Sequence, residues 1–241
     1  MTKNKRGRPQ TEAIQEYGNE WLSKLWSQPP STGVERLMWR RQSDTVNCGV
    51  DLLVDITEPW WTDKDWQRAV SLVLELHLYA RILDDAVDEG LLVHRQQALM
   101  AQEIVWKVAT NIGSSWPNLL DESAALIKTT VIGAAQDNPT ESGDEFWAKK
   151  NYHLLIAPLL LSGNDALFRE FQDALSDGLF LLQAQEECDE SAGEAAREAI
   201  LDWIDRWLAE GGWKGLEKAG WVDFSRYLKS IVYQMLESEQ C

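Results

Sequence analysis

Between its turn signals the chain repeats apolar residues at intervals of three and four. Val70, Val73, Leu74, His77, Leu78 and Arg81 trace one such row; Leu167, Phe171, Ala174, Leu175, Leu179 and Leu182 trace another. This spacing places side chains on one face of a helix. Strand-like alternation bounded by hairpin turns is missing throughout. Breakers fall at Pro29-Pro30-Ser31-Thr32-Gly33, Glu58-Pro59, residues 114–117, residues 137–143, Ser162-Gly163-Asn164 and Gly211-Gly212. The pattern predicts an all-α chain of about seven to nine helices without a sheet. No repeat of solenoid length is present. Residues 1–10 read as a mobile basic arm and residues 11–241 as one helical domain.

Composition agrees with a folded chain. With 241 residues, 44% hydrophobic and 26% charged, it can bury a large core. The longest apolar run, residues 154–161, contains Pro158 and is far short of the roughly 20 residues that span a bilayer. No transmembrane segment is expected, and the polar arm lacks the apolar stretch of a secretory signal. Three scattered cysteines, Cys48, Cys188 and Cys241, read as free thiols in a reducing cytoplasm. A net charge of −16 argues against nucleic acid and anionic membranes as partners. Anionic substrates stay open where divalent metal mediates the contact. The arm carries Arg6-Gly7-Arg8-Pro9, a minor-groove hook pattern of only four residues, and reads as a polar tail. Most of the thirteen tryptophans are expected in the core, with a minority lining a pocket.

Two acidic clusters carry the candidate chemistry. Asp84-Asp85-Ala86-Val87-Asp88-Glu89 ends the long apolar stretch 70–83, which only Glu75, His77 and Arg81 interrupt. Glu186-Glu187-Cys188-Asp189-Glu190 ends a second apolar stretch and repeats the spacing. On a helix Asp84 and Asp88 share a face, and Asp85 lies about 100° round the axis. Glu186, Glu190 and Glu194 follow at intervals of four. If the two helices face each other, five carboxylates converge, and their repulsion raises several pKa values unless a cation intervenes. Mg2+ suits such a site because it prefers oxygen ligands and completes its shell with phosphate oxygens. Bridging metals would hold a diphosphate and stabilise it as a leaving group. A di-iron site is excluded, because His77, His94 and His153 supply no Glu-x-x-His pair.

The stretch from His77 through Leu78-Tyr79-Ala80-Arg81-Ile82-Leu83 to Glu89 resembles the first aspartate-rich helix of class I isoprenoid synthases, above all the trans-polyprenyl diphosphate synthases. Residues 98–105 resemble the next helix of that family. Phe168-Arg169-Glu170-Phe171 with residues 183–190 resembles the helix of its second metal motif, with Glu in place of Asp. The resemblance spans roughly residues 33–190, with gaps. It implies a single-domain helical bundle around a central apolar cavity, a homodimer, and ionisation of an allylic prenyl diphosphate. It also implies three Mg2+ ions, two held by Asp84 and Asp88 with Asp85 supporting, and a third held by Glu186 with Glu187, Glu190 and Glu194. Gln183 would accompany that motif at the substrate. Tyr79 and Ala80 would floor the cavity, and Tyr79 would favour a short prenyl chain.

The basic residues of a second diphosphate site depart from that family. Gly33-Val34-Glu35-Arg36 keeps the Arg of its Gly-Lys-Arg pattern but replaces the Lys. Its Arg-Arg-Gly becomes His94-Arg95-Gln96, and its Lys-Thr pair falls near Lys149-Lys150 without a Thr. Arg36, Arg95 and Lys150 are the remaining candidate substrate contacts of this kind. The spacing Glu186, Glu190, Glu194 is also similar to the second motif of class I terpene cyclases, and Arg226-Tyr227 to their diphosphate-binding Arg-Tyr pair. The expected activity is therefore departure of diphosphate followed by cyclisation or water capture. Chain elongation with isopentenyl diphosphate is the alternative, and a non-catalytic partner subunit is the second alternative.

Overall fold

The computed structural model describes residues 8–26, 28–87, 95–136, 148–190 and 194–237. Among them are ten α-helices and no strand, so the chain is all-α. In chain order these are α1 (Glu12–Leu25), α2 (Gly33–Ile56), α3 (Trp66–Val87), α4 (Arg95–Ser115) and α5 (Leu120–Gln136). They are followed by α6 (Ile156–Ser162), α7 (Asp165–Glu190), α8 (Glu194–Ala209), α9 (Gly212–Ala219) and α10 (Val222–Glu237). The count exceeds the sequence expectation because α6 and α9, of seven and eight residues, are too short to show a full apolar period. Pro158 does not stop α6, since it lies in the first turn, where no intrahelical N–H bond is lost. No helix among the described residues is long and apolar enough to cross a membrane.

Two compact units emerge. The first comprises the described residues up to Asp121 together with Ile156–Gly163. Its centre is α3, which packs against α1, α2, α4 and α6. Ala69, Val70, Leu72, Val73, Leu74, Leu76, Leu78 and Ile82 are all buried, so α3 is apolar around its whole circumference rather than along one stripe. Each large aliphatic side chain buried there contributes about 1.5–3 kcal/mol. Gly49 lets α2 approach closely: a Cβ at that position would lie 2.7 Å from the His77 ring.

Local chemistry fixes the ends of α2. At its start Thr32 accepts from the Glu35 amide at 3.1 Å, while the Glu35 carboxylate accepts from the Thr32 amide at 2.9 Å. The same carboxylate takes the amide and hydroxyl of Ser31, both at 2.7 Å. This is a capping box, which satisfies amides left unpaired by the first helical turn. At its other end the Trp61 indole donates to the Val54 carbonyl at 2.8 Å, and the Trp66 indole donates to the Thr57 hydroxyl at 2.9 Å. Tryptophan here fastens a helix corner through its one polar atom. Arg8, from the arm, reaches α2 and pairs with Asp51 at 3.0 Å and Asp55 at 2.9 Å.

The second unit comprises Glu122–Leu155 and the described residues from Asn164 onward. There α7 packs against α9, α10 and the one-turn segment Tyr152–Leu155. Leu175, Leu179, Phe180 and Leu181 of α7 are buried, as are Phe224, Leu228, Ile231 and Val232 of α10. Trp221, fully buried, meets Phe171 edge-on with ring centroids 5.2 Å apart.

Candidate functional site

The last turns of α3 separate the two adjacent aspartates. Leu78, Ile82 and Asp85 follow one another at intervals of four and three, which puts Asp85 on the face that α3 buries. Its side chain has no exposed surface, whereas that of Asp84 keeps 29%. Around Asp85 stand Arg81 Nε at 3.3 Å, Arg41 Nη1 of α2 at 3.5 Å, and the Gln42 amide at 3.5 Å. Gln42 is oriented by the Trp26 indole, which donates to its oxygen at 2.8 Å. Burial raises the Asp85 pKa, against the pull of Arg81, Arg41 and Gln42. Asp84 faces outward and meets the other arm of the Arg81 guanidinium.

One arginine thus spans both carboxylates, and a second closes on the inner one. Asp85 is a structural ion-pair partner between α2 and α3. Asp84 is different. It is partly solvated. Asp88 lies outside the described residues. The side chains of Glu186, Glu187, Glu190 and Glu194 lie outside them as well. The backbone places Glu186 to Glu190 on the last turns of α7 and Glu194 at the start of α8, in the second unit. Among the described residues no three carboxylate, imidazole or thiol side chains gather as a metal site would require.

The proposed substrate contacts scatter over both units. Tyr79 and Ala80 are half-buried on α3, one turn before the aspartates, and burial raises the Tyr79 phenol pKa. Arg36 is exposed, and its guanidinium donates to the Ser31 carbonyl at 2.9 Å, within the cap of α2. Arg95 is exposed at the first position of α4. In the second unit Gln183 is buried and accepts from the Asn151 amide at 3.1 Å, next to half-buried Lys150. Arg226 pairs with Asp223 at 2.5 Å on the exposed side of α10, where Tyr227 is exposed too. Phe224 and Leu228 lie against Gly178, and Gln234 accepts from Gln185 at 3.3 Å, so α10 runs parallel to α7. Arg226 therefore stands near the level of Gly178, roughly 12 Å along the axis before Glu186 at 1.5 Å per residue.

The polar interruptions of α3 prove to have partners that the sequence reading did not assign. Glu75, buried, pairs with Lys107 of α4 at 2.8 Å, and the same ammonium contacts the Tyr17 hydroxyl of α1 at 2.5 Å. Arg81 serves Asp84 and Asp85; its position three and four residues before them was the available signal. Arg41 had none, being far away in sequence. A cleft of about 390 Å³ in the second unit is bounded by Glu170, Phe171, Ala174, Gly215 and Lys218 and includes none of the candidate residues. No family profile, no curated protein and no solved structure matches the chain.

Proposed function

We propose that the chain is a Mg2+-dependent class I isoprenoid synthase that ionises an allylic prenyl diphosphate. The observation that carries this reading is that Asp84 of α3 keeps a partly solvated carboxylate, with Asp88 four residues on in sequence. Carboxylate oxygens at this spacing favour a hard divalent cation. The reading rests otherwise on the resemblance of residues 77–89. In it Asp84 and Asp88 hold Mg2+, and Glu186, Glu187, Glu190 and Glu194 form a second ligand set. Bound Mg2+ supplies charge neutralisation of the departing diphosphate. In this reading Tyr79 and Ala80 meet the prenyl chain. The C1–O bond breaks heterolytically, and the electron pair leaves with the diphosphate. The allylic cation then loses a proton to give a hydrocarbon, or takes up water and loses a proton to give an alcohol.

Loss of diphosphate without elongation is favoured by the start of α2. Glu35 and Arg36, which stand where elongating enzymes bind a second diphosphate, are both engaged in the cap of α2. The alternative of a non-catalytic partner subunit draws on the ion pair that Arg81 makes with Asp84. One experiment separates the three. Purified protein is incubated with Mg2+ and geranyl, farnesyl or geranylgeranyl diphosphate, with and without isopentenyl diphosphate. Hydrocarbon or alcohol from a single diphosphate, lost in Asp84→Ala, is the expected result. A longer diphosphate formed only with isopentenyl diphosphate would establish elongation instead. No Mg2+-dependent release of diphosphate from any of them would leave the partner-subunit reading.

A further inference from the structure

The cleft of about 390 Å³ in the second unit lies between α7 and α9 and falls within the size range of small-molecule sites. Phe171 and Ala174 of α7, both half-buried, give it an apolar wall. Trp221, fully buried, meets the Phe171 ring edge-on at 5.2 Å and backs that wall. The facing wall is α9, where Gly215 borders the cleft. A Cβ on Gly215 would meet no atom within 4 Å, so packing does not require glycine there. Glycine weakens a helix interior relative to alanine, and what it leaves in return is open space beside the backbone.

One charge of each sign stands on the rim, Glu170 on α7 and Lys218 on α9, both exposed. Among the described residues neither has an ion-pair or hydrogen-bond partner, so the two also stand too far apart to pair with each other. The charges next to them in sequence are engaged elsewhere: Arg169 pairs with Asp165 at 2.8 Å, and Glu217 pairs with Lys229 at 2.5 Å. A purely anionic ligand is repelled by Glu170 and a purely cationic one by Lys218. A molecule that carries both charges beside an apolar group is attracted by both walls.

We propose that this cleft binds a free amino acid with a large apolar side chain. Phe171 and Ala174 receive the side chain, Glu170 the ammonium and Lys218 the carboxylate. The site lies in the second unit and involves neither Mg2+ nor diphosphate, so it stands or falls independently of the proposed reaction.

The test is a 15N–1H correlation titration of the full chain with L-phenylalanine, followed at the amides of Phe171 and of residues 215–219. Phenethylamine and 3-phenylpropionate, which keep the ring and one charge each, are titrated in parallel. The expected result is a saturable shift of these amides by phenylalanine at millimolar concentrations, the range that a ligand of this size reaches. Each one-charge analogue should bind about two- to fivefold more weakly, the worth of one exposed ion pair. Glu170→Gln should weaken phenylalanine by the same factor without weakening 3-phenylpropionate, and Lys218→Gln should do so without weakening phenethylamine. Gly215→Leu places a side chain in the open space and should abolish the shifts while the rest of the spectrum stays in place. No shift with phenylalanine up to about 20 mM, analogues that bind as tightly as phenylalanine, or shifts that persist in Gly215→Leu would each overturn the proposal.

Discussion

Replacing Asp85 by Ala separates the structural from the metal-binding reading of the aspartate pair. The substitution removes a fully buried carboxylate and leaves Arg41 and Arg81, whose side chains retain 26% and 19% exposure, without their shared partner. Breaking one side of a buried ion pair costs about 3–5 kcal/mol. Both guanidinium groups keep some access to water, and Arg81 keeps Asp84, so the cost falls at or just below the lower end, about 2–3 kcal/mol. In a chain of this length each kcal/mol lowers the melting temperature by about 2–4 °C, giving a fall of roughly 5–10 °C. Because the chain forms two compact units, the loss belongs to the unfolding of the one that contains α2 and α3. Asp84→Ala removes a partly solvated partner and should cost no more than about 1 kcal/mol. Urea and thermal unfolding by circular dichroism measure the stabilities, and calorimetry with Mg2+ or Mn2+ measures binding. The expected pattern is crossed: Asp85→Ala is unstable yet still binds metal when folded, and Asp84→Ala is stable and does not. An Asp85→Ala protein as stable as the wild type, or an Asp84→Ala protein that is the less stable of the two, would refute the reasoning.

Glu35→Ala should lower the unfolding free energy measured in urea by about 1 kcal/mol, the usual cost of lost N-terminal capping, and should leave the metal dependence of any diphosphate release unchanged. His77 offers a test by pH. Burial, and then the nearby Arg81 charge, lower its pKa from 6.5 to about 4, so the folded chain holds the imidazole neutral. Its contribution to stability is fully present above about 6.5 and is lost as pH falls towards 4, by up to about 3 kcal/mol. Urea midpoints measured across that window should fall on acidification in the wild type and fall less in His77→Gln; parallel curves would rule the contribution out.

The helical class was legible because the apolar residues keep a period of three to four over long segments, and α3 and α7 stand where the two rows place them. What the rows could not show is how many faces a helix buries. Residues 70–83 trace a stripe, yet α3 is packed against four other helices, and this enclosure buries Glu75 and Asp85, each beside a basic side chain of a neighbouring helix. Glu75 and Asp85 were visible as acidic residues of this segment, but the residues that answer them from other helices, Lys107 and Arg41, sit at unrelated positions. The capping box at Thr32 and Glu35 was legible from spacing alone. Comparison of Glu35 with a lysine at a diphosphate site concealed it, because one carboxylate was being asked about a ligand while its nearest amides went uncounted. The tryptophans illustrate the same limit. Their number predicted a large buried area, but not that Trp61 and Trp66 would each spend the indole N–H on a helix corner.

The aspartate pair shows why a repeated acidic spacing is weaker information than it looks. Adjacent residues on a helix point about 100° apart, so the two neighbouring carboxylates stand in different surroundings, one buried and one partly solvated. The row Leu78, Ile82, Asp85 already assigned the second aspartate to the interior. The row His77, Arg81, Asp84 assigned the first to the half-solvated side, within reach of an arginine three residues before it. A cation arriving at Asp84 therefore meets a carboxylate that is already neutralised, and must displace the Arg81 contact while Asp85 retains the same guanidinium from below. Metal affinity at this helix end is then a competition between two cations for one carboxylate. It follows that the strength of any Mg2+ site here depends on Asp88 and on the phosphate oxygens that complete it, more than on the adjacent pair by which the motif is recognised.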